Sequence, residues 1–279
     1  MYSLTDKKTI DYLCNKYGFR LKKSLGQNFL NEPEVLVTIA DSVEADGVLE
    51  IGPGIGVLTA ALASCKQKVV SVEIDDTLLP VLDETLAGFN NIEIIHSDIL
   101  KLDLPALLKE KFGDMSVSVA ANLPYYITTP IIMNLLEQRL PLSEIVIMIQ
   151  KEVADRITAA PGSKDYGALT LAVNYFCRAE KVCDVDKSCF TPAPKVDSTV
   201  LRLEVLDTPS VAVKNERRFF AIIKAAFGQR RKTLANALSN AGLFGSKDEI
   251  YAAFEKLGFD PMIRGEKLSI EEFAKLSDI

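Results

Sequence analysis

The sequence predicts an α/β fold: a mostly parallel sheet of seven strands covered by helices, followed by a small all-α region. Strand-like and helix-like patterns alternate from Val48 to Val205, which is how a parallel sheet with both faces covered is built. The apolar run Val48–Ile51 passes directly into Gly52-Pro53-Gly54-Ile55-Gly56 and then an amphipathic helix, the strand, turn and helix order of a ligand-binding first unit. Beyond Leu206-Asp207-Thr208-Pro209-Ser210 only helical spacing remains. The expected domains are therefore residues 1–206, including an extension ahead of the sheet, and residues 207–279.

Each element has its own signal. Residues 5–18 carry helical apolar spacing and predict a leading helix. Lys22 to Leu30 (KKSLGQNFL) is basic, contains a glycine and has a polar Gln27-Asn28 centre; it suits a segment that closes over a ligand, and by composition alone it is an ordinary loop. Asn31-Glu32-Pro33-Glu34 opens a helix over 35–42. After the glycine turn come a strand at 68–75, a helix at 77–86, a strand at 92–96, a strand over Met115–Ala121, a helix at 129–138 and a fully buried strand at 145–150. Helices at 151–159 and 166–177 surround a Pro161-Gly162 loop, and strands at 179–185 and 198–205 complete the sheet. Pro192 and Pro194 stiffen the loop between those two strands. Four helices follow near 214–227, 231–240, 246–257 and 269–276, punctuated by Gly228, Gly242, Gly258 and Pro261.

Composition narrows the function classes. An apolar share of 48% with 25% charged residues is ordinary for a globular protein, and no run of about 18 uncharged apolar residues exists to span a membrane. The first residues lack the apolar core of a signal peptide, so a cytoplasmic location is expected. The five cysteines (Cys14, Cys65, Cys177, Cys183, Cys189) are scattered without a CxxC pair, and His96 is the one histidine. Zinc sites and Ser-His triads are poorly served by that inventory, so no metal is expected. The net charge of −6 conceals two basic stretches. Lys214, Arg217, Arg218, Lys224, Arg230, Arg231 and Lys232 face Glu216 alone, and residues 1–30 carry six basic groups, Arg20, Lys22 and Lys23 among them, against two acids. Such local fields attract phosphates, although two solvated helix faces have the same composition.

The chemistry-bearing residues fall at the carboxyl ends of the expected strands, the edge where open α/β sheets bind ligands. The turn is G-x-G-x-G, not the G-x-G-x-x-G of dinucleotide enzymes, and Glu73 follows Gly52 by 21 positions, close to the spacing of a carboxylate that grips ribose hydroxyls. Asp75 and Asp76 fit helix capping better. Asp98, with Ile99 beside it, is placed for the amino group and ring of an adenine, with capping as its competing role. Asn122-Leu123-Pro124-Tyr125 ends the fourth strand. An exocyclic adenine amine is a poor nucleophile that no ordinary side-chain base deprotonates, so acceptors must hold its hydrogens. The Asn122 amide oxygen and a main-chain carbonyl at Leu123 or Pro124 meet that need, and Tyr125 offers a plane for stacking. The competing role for the tetrad is a turn in which Asn caps, Pro starts a helix and Tyr packs. Phe190 is placed either to cover the second face of that base or to pack in the core.

Taken together, GQNFL at 26–30, EIGPGIGVLT at 50–59, Glu73, Asp98, NLPY at 122–125, QKEVADR at 150–156 and FTPAPKVDS at 190–198 resemble the KsgA/RsmA family of ribosomal RNA small-subunit adenine dimethyltransferases. The resemblance runs from about residue 20 to the C-terminus. It implies a Rossmann-like S-adenosylmethionine-dependent methyltransferase domain followed by a helical RNA-binding domain, and dimethylation at N6 of two adjacent adenosines in the terminal hairpin loop of 16S rRNA in the 30S particle. It further implies that Asn28, Leu30, Gly52, Glu73, Asp98 and Asn122 contact the cofactor, that Asn122 serves both ligands, and that Tyr125 and Phe190 hold the base. Nothing points beyond a monomer. Three alternatives make distinct predictions: a large-subunit rRNA enzyme would mark a different nucleotide, a DNA adenine methyltransferase would act on duplex DNA, and an assembly factor would bind 30S subunits without needing methyl transfer.

Overall fold

The computed structural model describes residues 3–19, 26–229 and 231–279. In chain order the elements are α1 (Lys7–Tyr17), β1 (Phe29–Leu30), α2 (Pro33–Asp41), β2 (Gly47–Ile51), α3 (Val57–Ala63), β3 (Lys68–Glu73), α4 (Leu79–Thr85), β4 (Ile92–His96), α5 (Leu104–Phe112), β5 (Val117–Asn122), α6 (Thr128–Glu137), β6 (Glu144–Gln150), α7 (Lys151–Ile157), α8 (Ala168–Phe176), β7 (Cys177–Val185), β8 (Phe190–Thr191), β9 (Ser198–Val205), α9 (Glu216–Gly228), α10 (Leu234–Asn240), α11 (Lys247–Leu257) and α12 (Ile270–Ser277). Among the described residues, no helix is long and apolar enough to cross a membrane.

The sheet has seven strands in the order β4-β3-β2-β5-β6-β9-β7. Its parallel pairs join β2 to β3 and β5, β3 to β4, and β5 to β6, while β9 runs antiparallel to β6 with Gln150 opposite Ser198. The central strands are continuous apolar runs because helices cover both faces; Val48, Leu49, Val69, Val70, Val119, Ala120, Val146 and Ile147 are wholly buried. From β2 the chain steps outward through β3 to β4, then returns to place β5 on the other side of β2. The connections leaving β2 and β5 therefore diverge, which opens a crevice at the carboxyl ends of those strands. A separate two-stranded ribbon pairs β1 with β8, with Phe29 opposite Thr191 and Leu30 opposite Phe190. The helix α5 lies outside the expected elements, yet its start signal is local: Asp103 accepts from Ala106 N at 3.1 Å and a proline occupies the first turn.

The chain divides into two compact units, Met1–Ala154 with Glu180–Val205, and Asp155–Ala179 with Leu206–Ile279. The expected boundary was one cut near residue 206; instead residues 155–179 belong with the C-terminal helices. The reason is aromatic packing inside the second unit. The Tyr175 ring on α8 lies 5.2 Å from Phe219 and 5.1 Å from Phe220 of α9, and Tyr166 Oη donates to Leu268 O at 2.9 Å. Within this unit, α9 to α12 are each opened by a side-chain cap, from Asn215, Thr233, Ser246 and Ser269.

Candidate functional site

At the carboxyl end of β2 the turn runs through Gly52, Gly54 and Gly56, with φ of 72°, 62° and 89°. Side chains rarely adopt that region, so glycine is the economical choice. At Gly52 a Cβ would meet nothing within 4 Å, which leaves the space before this backbone open to a ligand. At Gly54 a Cβ would lie 2.9 Å from the Phe29 ring, so the turn presses against β1.

Glu73 ends β3 and is 4% exposed. Gly54 N donates to its Oε2 at 3.2 Å and Asp75 N to its Oε1 at 2.8 Å. Burial raises its pKa, and those main-chain donors oppose the rise. Asp75 caps the following turn through Thr77 N, as expected, and also accepts from Gln27 Nε2 at 2.9 Å. Asp98 follows β4, accepts from Leu100 N at 3.1 Å and still lines the cavity, so both of its expected roles are structurally available.

Asn122 is the last residue of β5 and does not cap a helix; α6 starts only at Thr128. Its Nδ2 donates to Asn28 O at 3.2 Å. Leu123 is buried and its N–H donates to Met148 O at 3.1 Å, which pins the turn to the neighbouring strand. The Pro124 carbonyl accepts from both Ile127 N and Thr128 Oγ1 at 3.1 Å. Tyr125 is half-buried with its hydroxyl 2.8 Å from Ser198 Oγ, and burial raises its pKa. Phe190 is 4% exposed, belongs to the core cluster and also lines the cavity.

One cavity in the first unit is lined by all eleven candidates: Asn28, Leu30, Gly52, Glu73, Asp98, Ile99, Asn122, Leu123, Pro124, Tyr125 and Phe190. It is also lined by Gln27 of the GQNFL motif, and by Ile74 and Tyr126, which the sequence motifs did not single out. Ile74 is half exposed between two buried acids, and an apolar residue left open at a strand end was the available signal. Beneath the turn lies Glu50, wholly buried, with Ser71 Oγ donating to its Oε2 at 2.6 Å. Burial pushes this carboxyl up to about 7, against the Ser71 and Thr59 hydroxyls and aided by the Glu73 charge.

In the second unit Lys214, Arg217, Lys224, Arg231 and Lys232 are exposed. Arg218 is engaged internally, donating to Ser277 O and Leu243 O at 3.0 Å each, with its guanidinium 4.8 Å from the Phe244 ring centroid. The basic residues Arg20, Lys22, Lys23 and Arg230 lie outside the described residues.

The chain is similar to known proteins. The ribosomal RNA small subunit methyltransferase A of Anoxybacillus flavithermus is 53% identical over 272 residues, covering 95% of this chain and 92% of its own. The protein of the same name from Clostridioides difficile is 47% identical, covering 100% and 97%. The crystal structure of a dimethyladenosine transferase from Plasmodium falciparum superposes with a TM-score of 0.75 at 29% identity, covering 89% of this chain and 95% of that one. The 23S rRNA methyltransferase ErmE superposes at 0.68 and 27% identity, covering 90% and 98%. With residues 18–279 matching the family described as ribosomal RNA adenine dimethylase, the chain belongs to that family.

Proposed function

We propose that the protein transfers methyl groups from S-adenosylmethionine to N6 of two adjacent adenosines in the 3′-terminal hairpin loop of 16S rRNA, two to each, within the 30S subunit or its precursor. It does so in the cytoplasm and as a monomer, since one chain supplies every residue this reading uses. The observation that carries the reading is the single cavity in which Gly52, Glu73 and Asp98 meet the tetrad at 122–125.

The residues present fit the donor. The space before Gly52 is open, each Glu73 oxygen keeps a lone pair beyond its main-chain donor, and Ile74 and Ile99 add apolar surface for a base. Asn28 and Leu30 complete the donor's side of the cavity. When bound, S-adenosylmethionine supplies an electrophilic methyl on a sulfonium whose sulfur leaves neutral, so the chain needs no general acid of its own.

The chain's task is then alignment and acceptance of the amine hydrogens. Asn122 Oδ1 accepts a hydrogen bond from one, and the methylated nitrogen, cationic once the C–S bond breaks, then releases a proton to solvent. The Pro124 carbonyl already accepts two hydrogen bonds, so the second falls to the Leu123 carbonyl. Tyr125, tied by its hydroxyl to Ser198, supplies the stacking plane, and Phe190 supplies the opposite wall. A loop adenosine leaves its stack more readily than a duplex one, which favours a hairpin as substrate. Exposed Arg217, Lys224, Arg231 and Lys232 hold flanking phosphates; Lys214 and Arg218, each donating to main-chain carbonyls of the same unit, do not share that role.

Incubation with labelled S-adenosylmethionine and unmethylated 30S subunits, followed by mass spectrometry of the nucleosides, tests the reading. Dimethyladenosine in the 16S hairpin is expected; label confined to large-subunit RNA or to duplex DNA would overturn it.

A further inference from the structure

The segment Gly26–Asn31 touches three parts of the site at once. Gln27 Nε2 donates to Asp75 Oδ2 at 2.9 Å, next to the Glu73 carboxylate. The Asn28 carbonyl accepts from Asn122 Nδ2 at 3.2 Å. Asn31 N donates to Cys189 O at 2.9 Å, and Phe29 and Leu30 pair with Thr191 and Phe190. At Gly26, where φ is 60°, a Cβ would lie 3.2 Å from Pro124 Cβ, so the strap lies directly on the tetrad.

This matters because a carboxamide has almost the same shape at its two ends. Oxygen and nitrogen exchange by a half-turn, and only hydrogen bonding selects between them. With the Asn28 carbonyl as its neighbour, Asn122 directs its NH₂ to the strap and keeps Oδ1 for another donor. Flipped, it would point NH₂ at an amine that itself has only hydrogens to offer.

We infer that Gln27 is a positioning residue for methyl transfer: its bond to Asp75 holds the adjoining Asn28 carbonyl where that carbonyl orients the Asn122 amide. The inference rests on reading Asn122 as an acceptor for N6. The line runs from Glu73 Oε1 to Asp75 N, from Asp75 Oδ2 to Gln27, and from the next peptide to Asn122. The donor's side of the cavity is thereby tied to the acceptor of the target amine. A strap that serves stability alone would need no such link to Asn122.

The test is a cycle of Gln27→Ala, Gln27→Glu, Asp75→Asn and the double variant Q27E/D75N, which exchanges donor and acceptor without changing the net charge. Single-turnover transfer to 30S subunits at saturating S-adenosylmethionine is expected to slow about tenfold in Q27A, the scale of one lost hydrogen bond. Q27E, which sets two carboxylates together, should be slower still, and the double variant should be faster than the two single changes combined would give. The side-chain amide signal of Asn122, identified by its loss in Asn122→Ala, should exchange faster with solvent in Q27A and Q27E and slow again in the double variant. Full transfer rate in Q27A, additive effects in the cycle, or an Asn122 amide indifferent to Gln27 would overturn the inference. If the wild type leaves 30S subunits unmodified, the proposed function fails, and the amide exchange still judges Gln27.

Discussion

The two rims of the sheet treat buried carboxylates in opposite ways. At the amino end of β6, Glu144 is 1% exposed and fully partnered: its Oε1 accepts from Glu44 N at 2.6 Å and Ser118 Oγ at 2.7 Å, and its Oε2 from Arg202 Nη2 at 2.9 Å. Burial alone would raise its pKa, but those hydrogen bonds and the Arg202 charge outweigh it and the pKa is lowered. At the carboxyl rim, Glu73 and Glu50 have main-chain and hydroxyl partners only, and both are raised. A carboxylate answered by a cation from its own chain is finished as structure. One answered only by neutral donors remains in want of a partner, and a site can use that.

Three variants sharpen or break this contrast. Arg202→Ala should have the largest effect, because it strands the Glu144 charge inside the fold: a loss of about 3 kcal/mol or more in denaturant unfolding. Should it cost no more than an average surface substitution, the amino rim is not held as described.

Glu50→Gln comes next and is read against pH. In the native state the carboxyl keeps its proton to about 7, whereas the unfolded chain releases it near 4.5. Between those values the native state binds more protons, so this group's contribution makes stability fall as pH rises, by roughly 3 kcal/mol in total. Glu50→Gln should make that slope shallower, down to what the raised Glu73 carboxyl contributes, and leave in place the acid-side loss of stability that follows protonation of Glu144. An undiminished slope in the variant would assign it elsewhere.

Glu73→Ala should have the smallest effect on stability and a defined one on binding. Loss of a charged acceptor weakens S-adenosylmethionine by about tenfold or more in calorimetry, while the melting temperature holds or rises because a buried carboxylate is gone. If Glu73→Ala instead unfolds the protein as readily as Arg202→Ala, the two rims are not different in kind.

Much of this was legible in the residues, and for local reasons. Strand ends, the glycine turn and the position of Asn122 at the end of β5 follow from apolar runs that stop abruptly. What escaped was non-local. Nothing near Phe29 announces that it pairs with Thr191, and nothing near Tyr175 announces that its ring meets Phe219 and Phe220; hence the unexpected ribbon and the unexpected grouping of residues 155–179 with the C-terminal helices. The two-way alternatives at Asp98 and Phe190 need not exclude each other: Asp98 caps a turn and Phe190 packs in the core, and both line the cavity.

The pairing of Phe29 with Thr191 also sets an order of events at birth. Every motif from the glycine turn to the tetrad is translated before the ribbon's second strand exists, so a nascent chain can carry those motifs while Phe190, which lines the same cavity, is still inside the ribosome.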